Sequence, residues 1–378
     1  MELFWFAFIS VSFLIMGLYT AMIFYAISGW NKLQIEADTS PTLSISILIA
    51  ARNESSNILA VLEDLSTQNY PKELFEVIVI DDYSDDDTLA LAKGRLAEMM
   101  NLTVLENKAG EGKKSAIAEG ISRAKFPIIA TIDADCSVFT EWLQSMASHW
   151  KSNTKMLLGP VVLAPAEGVF QTIQSMEMMA IMGLTGGFAS QGKPIMANGA
   201  NLWFDKSAFN EVGGFSKQQN PSGDDVFTML KINDKWPQSV GFVKDFRAIV
   251  QTTPQPTFSA FWQQRKRWLS KKGEYSNWMV KATALTSYFA NVIGLLALLI
   301  SIAMLGTFVS DTLLWILLVK TVVDLYIIRR TRNDLNPICG VGSIIPAELF
   351  MLFYVPILGI FGRVKNYTWK GRSISVND

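Results

Sequence analysis

Long apolar runs at both ends of the chain enclose a block of short apolar runs broken by polar clusters. Residues 3–31 carry no charge over 29 positions, enough for one helix across a bilayer. The run is too long for a signal-peptide core, and Glu2 rather than a basic residue precedes it, so a retained transmembrane helix is expected. Lys32 on its far side places the cytoplasm there. From about residue 43 the pattern changes. Strands are expected at 44–52, 75–82, 102–105 and 126–136, each a continuous apolar run of the kind a buried parallel strand shows. Helices should fill the intervals, through about residue 66, to about 100, and over 114–124. Asn53 to Ser56 and the stretch after Tyr83 offer the capping residues. Strand–helix alternation predicts an α/β, doubly wound, mostly parallel sheet.

Residues 171–188 are Met-rich with Glu177 as the one charge, which fits either a core helix or one lying on the membrane or acceptor side. Gly183, Gly186 and Gly187 argue against a full span. A second uncharged run of 29 residues covers 282–310, and a third, 312–328, contains Lys320 and Asp324 one helical turn apart, where they can pair. A fourth, 335–362, is interrupted by Pro337, Pro346, Glu348 and Pro356. The expected organisation is a transmembrane helix at 1–31, a catalytic domain at 43–255 and an interface region at 256–281. Two transmembrane helices at 282–328, an apolar segment at 335–362 and a basic tail at 363–378 follow. A complete fourth span would put Arg363, Lys365, Lys370 and Arg372 outside, against the positive-inside tendency, so a re-entrant or interfacial segment is preferred.

Composition narrows the chemistry. Of 378 residues half are apolar, and 33 basic residues balance 34 acidic ones, so no general nucleic-acid signature exists. Two cysteines, Cys136 and Cys339, make neither a disulfide framework nor a thiolate metal site. The single histidine, His149, cannot build a histidine metal cluster and is expected on a helix surface. Acid–base work therefore falls to carboxylates.

Those carboxylates sit where strands end. Asp81 and Asp82 close one strand, and Asp133-Ala-Asp135 closes another. Ligands of open α/β sheets bind beyond the carboxyl ends of strands, and hard divalent cations take oxygen donors there. Lys108-Ala-Gly-Glu-Gly-Lys-Lys-Ser115 fails the P-loop and dinucleotide patterns, having Asn107, Lys114 and Ser115 at positions those patterns reserve. Asp224 and Asp225 follow Pro221-Ser-Gly223 at a helix start. Phe261-Trp-Gln-Gln-Arg-Lys-Arg-Trp268, continuing to Lys271 and Lys272, is basic and aromatic together, as membrane-interface helices are. Arg267 within it suits phosphate oxygens.

In order, Asp81-Asp82, Asp133-Ala-Asp135, Gly223-Asp-Asp225 and Gln264-Arg-Lys-Arg-Trp268 resemble the D, D-x-D, [E/D]-D, Q-x-x-R-W series of the family-2 inverting glycosyltransferases of GT-A fold. Ala51-Arg-Asn-Glu54, Asp81-Asp-Tyr-Ser-Asp-Asp-Asp-Thr88, Gly112-Lys-Lys-Ser-Ala-Ile117, Asn198-Gly-Ala-Asn201 and Val212-Gly-Gly-Phe215 look familial too. The resemblance runs from about residue 44 to 268. It implies that Ala51, Arg52, Glu54, Asp81 and Asp82 line the nucleotide pocket, Lys113 approaches the phosphates, and Asp133 and Asp135 hold Mn²⁺ or Mg²⁺ on the diphosphate. It makes Asp225 the general base beside Asp224, and sets Gln264, Arg267 and Trp268 over the diphosphate and acceptor mouth. Asn201 joins the substrate-binding set. Asp224 departs from the usual Glu by one methylene.

The resemblance implies a nucleotide-sugar donor, UDP-linked with GDP as the other candidate, and leaves the sugar and the oligomeric state open. Few apolar stretches follow the domain, against the many of cellulose and hyaluronan synthases, so a non-processive enzyme with a membrane lipid acceptor is expected. The tail Tyr367-Thr-Trp-Lys-Gly-Arg372 resembles the ends of ceramide- and carotenoid-glucosyltransferase-like proteins. The alternatives are a processive polysaccharide synthase and an inactive nucleotide-sugar-binding scaffold.

Overall fold

The computed structural model describes residues 2–37, 42–165, 167–215, 224–269, 277–335, 344–361, 366–369 and 372–375. After helix α1 (Glu2–Lys32), the chain enters the sheet at β1 (Ile45–Ala51). Helix α2 (Ile58–Ser66) leads to β2 (Phe75–Asp81), α3 (Thr88–Gly94) to β3 (Leu102–Glu106), and α4 (Lys113–Arg123) to β4 (Ile128–Thr131). β1 pairs in parallel with β2 and β4, and β2 with β3. The residues of β2 and β4 are all buried, and of β1 only Ala50 is partly exposed, which is why these strands read as unbroken apolar runs.

The expected fourth strand, 126–136, is shorter than that. β4 ends at Thr131, the two aspartates occupy the turn after it, and β5 (Cys136–Val138) belongs to a second sheet. Next come α5 (Trp142–Ser148), β6 (Met156–Leu158), β7 (Val161–Leu163), α6 (Val169–Ala189), β8 (Leu202–Asp205), α7 (Lys206–Glu211), α8 (Asp224–Lys235), β9 (Val240–Phe242) and β10 (Val250–Thr252). The main sheet has order β3-β2-β1-β4-β8-β6-β9, with β8 antiparallel to both its neighbours, and the smaller sheet has order β5-β10-β7. The mostly parallel α/β expectation holds.

Past α9 (Phe258–Leu269) lie α10 (Trp278–Ala303), α11 (Phe308–Leu335), α12 (Ile344–Phe361) and the paired strands β11 (Asn366–Trp369) and β12 (Arg372–Ser375). Among the described helices, α1 and α10 are each long and apolar enough to cross a membrane. α11 is longer than the 312–328 expected. Its Lys320 and Asp324 do pair, at 2.7 Å, and Lys320 also meets Glu348 of α12 while Tyr19 of α1 donates to Asp324. α12 packs along α10 with Leu352 against Gly294 and Tyr288 against Gly359, so its C-terminal end lies beside the half of α10 nearer α9.

α6 covers residues 171–188 and is mostly buried. It packs on α1, α11 and α12, and its glycines are contact points: a Cβ on Gly187 would lie 2.1 Å from the Ala26 carbonyl oxygen, so the α1 and α6 backbones touch. Trp30 at the base of α1 stacks obliquely on Phe242 of β9 and donates to Asp334 of α11, locking the apolar helices to the α/β domain. His149 is buried rather than on a helix surface: Nδ1 lies 2.8 Å from the Ser145 carbonyl oxygen, and Nε2 accepts from the Glu36 backbone N–H. Cys339, Lys271, Lys272, Gly223, Lys370 and Gly371 lie outside the described residues, as does the side chain of Asp224.

Candidate active site

The strand ends open onto one cleft of ≈ 420 Å³ whose lining includes Arg52, Glu54, Lys113, Asp133, Asp135, Gln264, Arg267 and Trp268. Two loops at its rim hold each other in place. The Asn53 to Ser56 stretch does not cap α2, whose cap Asn57 makes no side-chain bond to the helix. Instead Asn53, in left-handed conformation (φ 52°), donates its N–H to Ser84 Oγ and accepts from the Asp85 N–H. Glu54 and Ser55 donate backbone N–H groups to Thr88 Oγ1 and Asp86. Arg52 reaches across to the Asp82 carbonyl oxygen at 2.9 Å and to Asp85 at 3.0 Å.

Asp82 turns beneath the rim. Its carboxylate accepts from the Gly112 N–H at 3.0 and 3.1 Å and from Asn107 at 2.9 Å. Gly112 takes φ 100°, a conformation that favours glycine, and so starts α4 with Lys113 aimed into the cleft. Asp81 accepts from the Ser84 N–H through Oδ2, and its Oδ1 is buried with no hydrogen-bond partner among the described residues. Ala51, Asp81, Asp82 and Asn201 are buried beneath or beside the cleft rather than on its lining. Asn201 is a bracket. Its amide donates to the Pro160 and Ala248 carbonyl oxygens, both at 2.9 Å, and accepts from the Trp142 indole at 3.2 Å. Asn198 and Ala200 line the cleft instead.

Lys113 ion-pairs with Asp133, so a cation already stands at this carboxylate. Asp225 lies behind them at the first turn of α8, where its Oδ2 accepts from the Gly199 N–H at 3.2 Å. Lys113, Gly199 and Asp225 share one small recess that opens off this region. Among the described residues no three His, Cys, Asp or Glu side chains converge as a metal group. Two carboxylates on hard oxygen donors still fit a divalent ion of the kind whose remaining ligands are water and a diphosphate. The Cys136 thiol beside them is pushed up by burial and by Asp133 and Asp135, which keeps it protonated and unsuited to nucleophilic work.

The far wall comes from α9. Gln264, Arg267 and Trp268 line the cleft. Gln174 of α6 and Gln255 complete that wall, exchanging bonds of 3.0 and 2.9 Å across 81 positions. Neither carries a signal in sequence, since each is a lone amide in an unremarked stretch. Arg265 is equally silent in sequence, and Glu177 of α6, with which it ion-pairs, reads there only as a solitary charge.

Residues 46–213 match the family model described as Glycosyl transferase family 2. Glycosyltransferase AglE of Haloferax volcanii is 26% identical over 258 residues, covering 67% of this chain and 80% of the relative. A beta-monoglucosyldiacylglycerol synthase of Synechocystis sp. is 26% identical over 65% of this chain and 50% of its own length. A poly-beta-1,6-N-acetyl-D-glucosamine synthase of Staphylococcus epidermidis is 24% identical over 63% of this chain and 57% of its own. The chain thus spans about half the length of the latter two. Among solved structures, the mannosyltransferase PcManGT from Pyrobaculum calidifontis, in complex with GDP-Man and Mn²⁺, aligns with TM-score 0.58 at 16% identity over 92% of this chain and 98% of that one. That likeness is one of fold.

Proposed function

This chain carries a glycosyl transferase family 2 domain of GT-A fold, and from that premise we propose a membrane-embedded, inverting, non-processive hexosyltransferase that moves a sugar from a nucleotide-sugar to a lipid acceptor. The observation that supports it most is the convergence of Lys113, Asp133, Asp135, Arg267 and Trp268 on one cleft, with Asp225 in the recess beside it. A UDP-sugar is the favoured donor, because that is what the motif series implies. Arg52 and Glu54 would receive the nucleoside, with Asp81 and Asp82 shaping the pocket from below.

Asp133 and Asp135 would hold a divalent ion, Mn²⁺ or Mg²⁺, whose charge offsets that of the diphosphate. Lys113 and Arg267 would neutralise the negative charge that grows on the departing nucleoside diphosphate. In the transfer, the bond between the anomeric carbon and the phosphate oxygen breaks and a bond to the acceptor oxygen forms on the opposite face. The acceptor proton passes to Asp225, and the nucleoside diphosphate leaves with the electron pair. Attack from that face inverts the anomeric centre. Asp224 would assist the base.

The surroundings of the cleft support a lipid acceptor: its α9 wall packs, through Phe261, against Tyr354 and Leu358 of the apolar helix α12. It is also consistent with the glucosyldiacylglycerol synthase relative. In this reading α1, α10 and α11 span the membrane, the catalytic domain faces the cytoplasm, and the tail returns to the same face because β11 packs on α9.

The test incubates detergent-solubilised protein with Mn²⁺, radiolabelled UDP- and GDP-sugars and total membrane lipid. Label in one discrete organic-soluble band is expected. Long polymer at the chromatographic origin would replace this reading with the processive synthase. Nucleotide-sugar binding without transfer to any lipid fraction would replace it with the scaffold.

A further inference from the structure

Within the α9 wall of the cleft, whose lining it shares, Arg265 is buried directly after Gln264. Its Nε lies 3.3 and 3.2 Å from the two carboxylate oxygens of Glu177 on α6, and Nη2 bonds the same carboxylate. Nη1 donates to Gln264 Oε1. The guanidinium sits between two rings, 4.3 Å from the centroid of Phe261 and 4.1 Å from that of Trp268. Tyr354 of α12 donates its hydroxyl to Glu177. A buried cation is tolerated only with a close partner, and here the fork of the guanidinium fixes direction as well as charge.

Gln264, Arg267 and Trp268 stand three and four positions apart and share one helix face, whereas Arg265 points about 100° away from Gln264. Anchoring Arg265 therefore sets the rotation of α9 about its axis, and with it the aim of the cleft-lining side chains. We propose that Glu177, Arg265 and Tyr354 act as positioning residues for Gln264, Arg267 and Trp268. Through Tyr354, the apolar helix α12 carries part of that alignment. The use made of the alignment rests on the transferase reading above; the alignment itself does not.

The test compares full-length wild type with Glu177→Gln, Arg265→Lys, Tyr354→Phe and the double variant Glu177→Gln/Tyr354→Phe in lipid nanodiscs. Backbone hydrogen exchange over residues 258–269 is read without donor or acceptor. Glu177→Gln is expected to speed exchange in α9 by ~10-fold while β1 and β2 stay protected. Arg265→Lys keeps the charge but loses the fork and should behave like Glu177→Gln, not like wild type. Tyr354→Phe gives a smaller change in the same peptide, and the double variant is no worse than Glu177→Gln alone, as expected of a coupled unit. In kinetic assays kcat drops by up to ~10²-fold, and Mn²⁺-dependent binding of UDP or GDP by calorimetry weakens with it, because a misaimed Arg267 loses the diphosphate.

Wild-type exchange in α9 of both Glu177→Gln and Arg265→Lys would overturn the proposal. So would exchange that rises equally through β1 and β2, which marks a general loss of stability. Should Glu177→Gln fail to fold, Tyr354→Phe removes one hydroxyl and supplies the readout. A wild-type protein that transfers no sugar would sink the transferase reading and leave the exchange result standing.

Discussion

Asp225 accepts a backbone bond from Gly199 in the recess that Lys113 also lines, so replacing its charge should leave the surrounding loop intact. Asp225→Asn is expected to lower transfer by ~10²–10⁴-fold, the usual worth of a general base, with nucleotide binding by calorimetry unchanged. Loss of binding together with turnover would assign Asp225 to the donor pocket instead. Asp245 sits outside the cleft and shows what a buried carboxylate does for the fold. Burial works to raise its pKa, but Arg247 and Ser145, bonded at 2.6 and 2.9 Å, hold it below the usual carboxylate range. A lowered folded-state pKa contributes stability above the unfolded value of about 4 and loses it as pH falls through the folded one. Asp245→Asn should therefore be less stable than wild type at pH 7, and the gap in melting temperature should narrow between pH 5 and 3. A gap independent of pH would mean that the charge of Asp245 contributes nothing.

At the scale of elements, Lys320, Asp324, Glu348 and Tyr19 tie three apolar helices together at buried positions. Lys320→Met strands two carboxylates in an apolar setting and should cost ~3–5 kcal/mol, read as a lower midpoint in denaturant titration of the detergent-solubilised protein. Adding Asp324→Leu and Glu348→Leu should recover most of the loss. If the triple variant is as unstable as the single one, packing rather than charge governs this junction. The contact between α1 and α6 is tighter still. Gly187→Val puts branched carbon where the Ala26 carbonyl oxygen stands, and a lowered melting temperature is expected.

Over the whole molecule, much of the α/β scaffold was legible because β1, β2 and β4 are buried on both faces and leave unbroken apolar runs, and because the D-D and D-x-D pairs stand at the ends of β2 and β4. The α9 residues of the cleft were legible from their motif. What the chain did not announce comes from contacts between residues far apart. Asn201 carries a familial motif position but spends its amide on Pro160, Ala248 and Trp142, partners that no local pattern reveals. Asn53 looked like a helix cap and is instead stapled to the Tyr83 to Thr88 loop. The turn after β4 passes from one sheet to the other, so the stretch 126–136 read as one strand divides in two. His149 follows the same logic, since its Nε2 is bonded by Glu36, which approaches from a connecting segment 113 positions earlier.

The glycine contact of α1 with α6, together with Trp30 wedged on Phe242, leaves no slack between the apolar helices and the α/β domain. A body so joined cannot nod toward a bilayer or away from it. In the membrane-bound reading the cleft mouth keeps one altitude, and an acceptor must supply the remaining reach with its own headgroup. Lipids sorted by headgroup height would then be sorted as substrates by a ruler made of two helices.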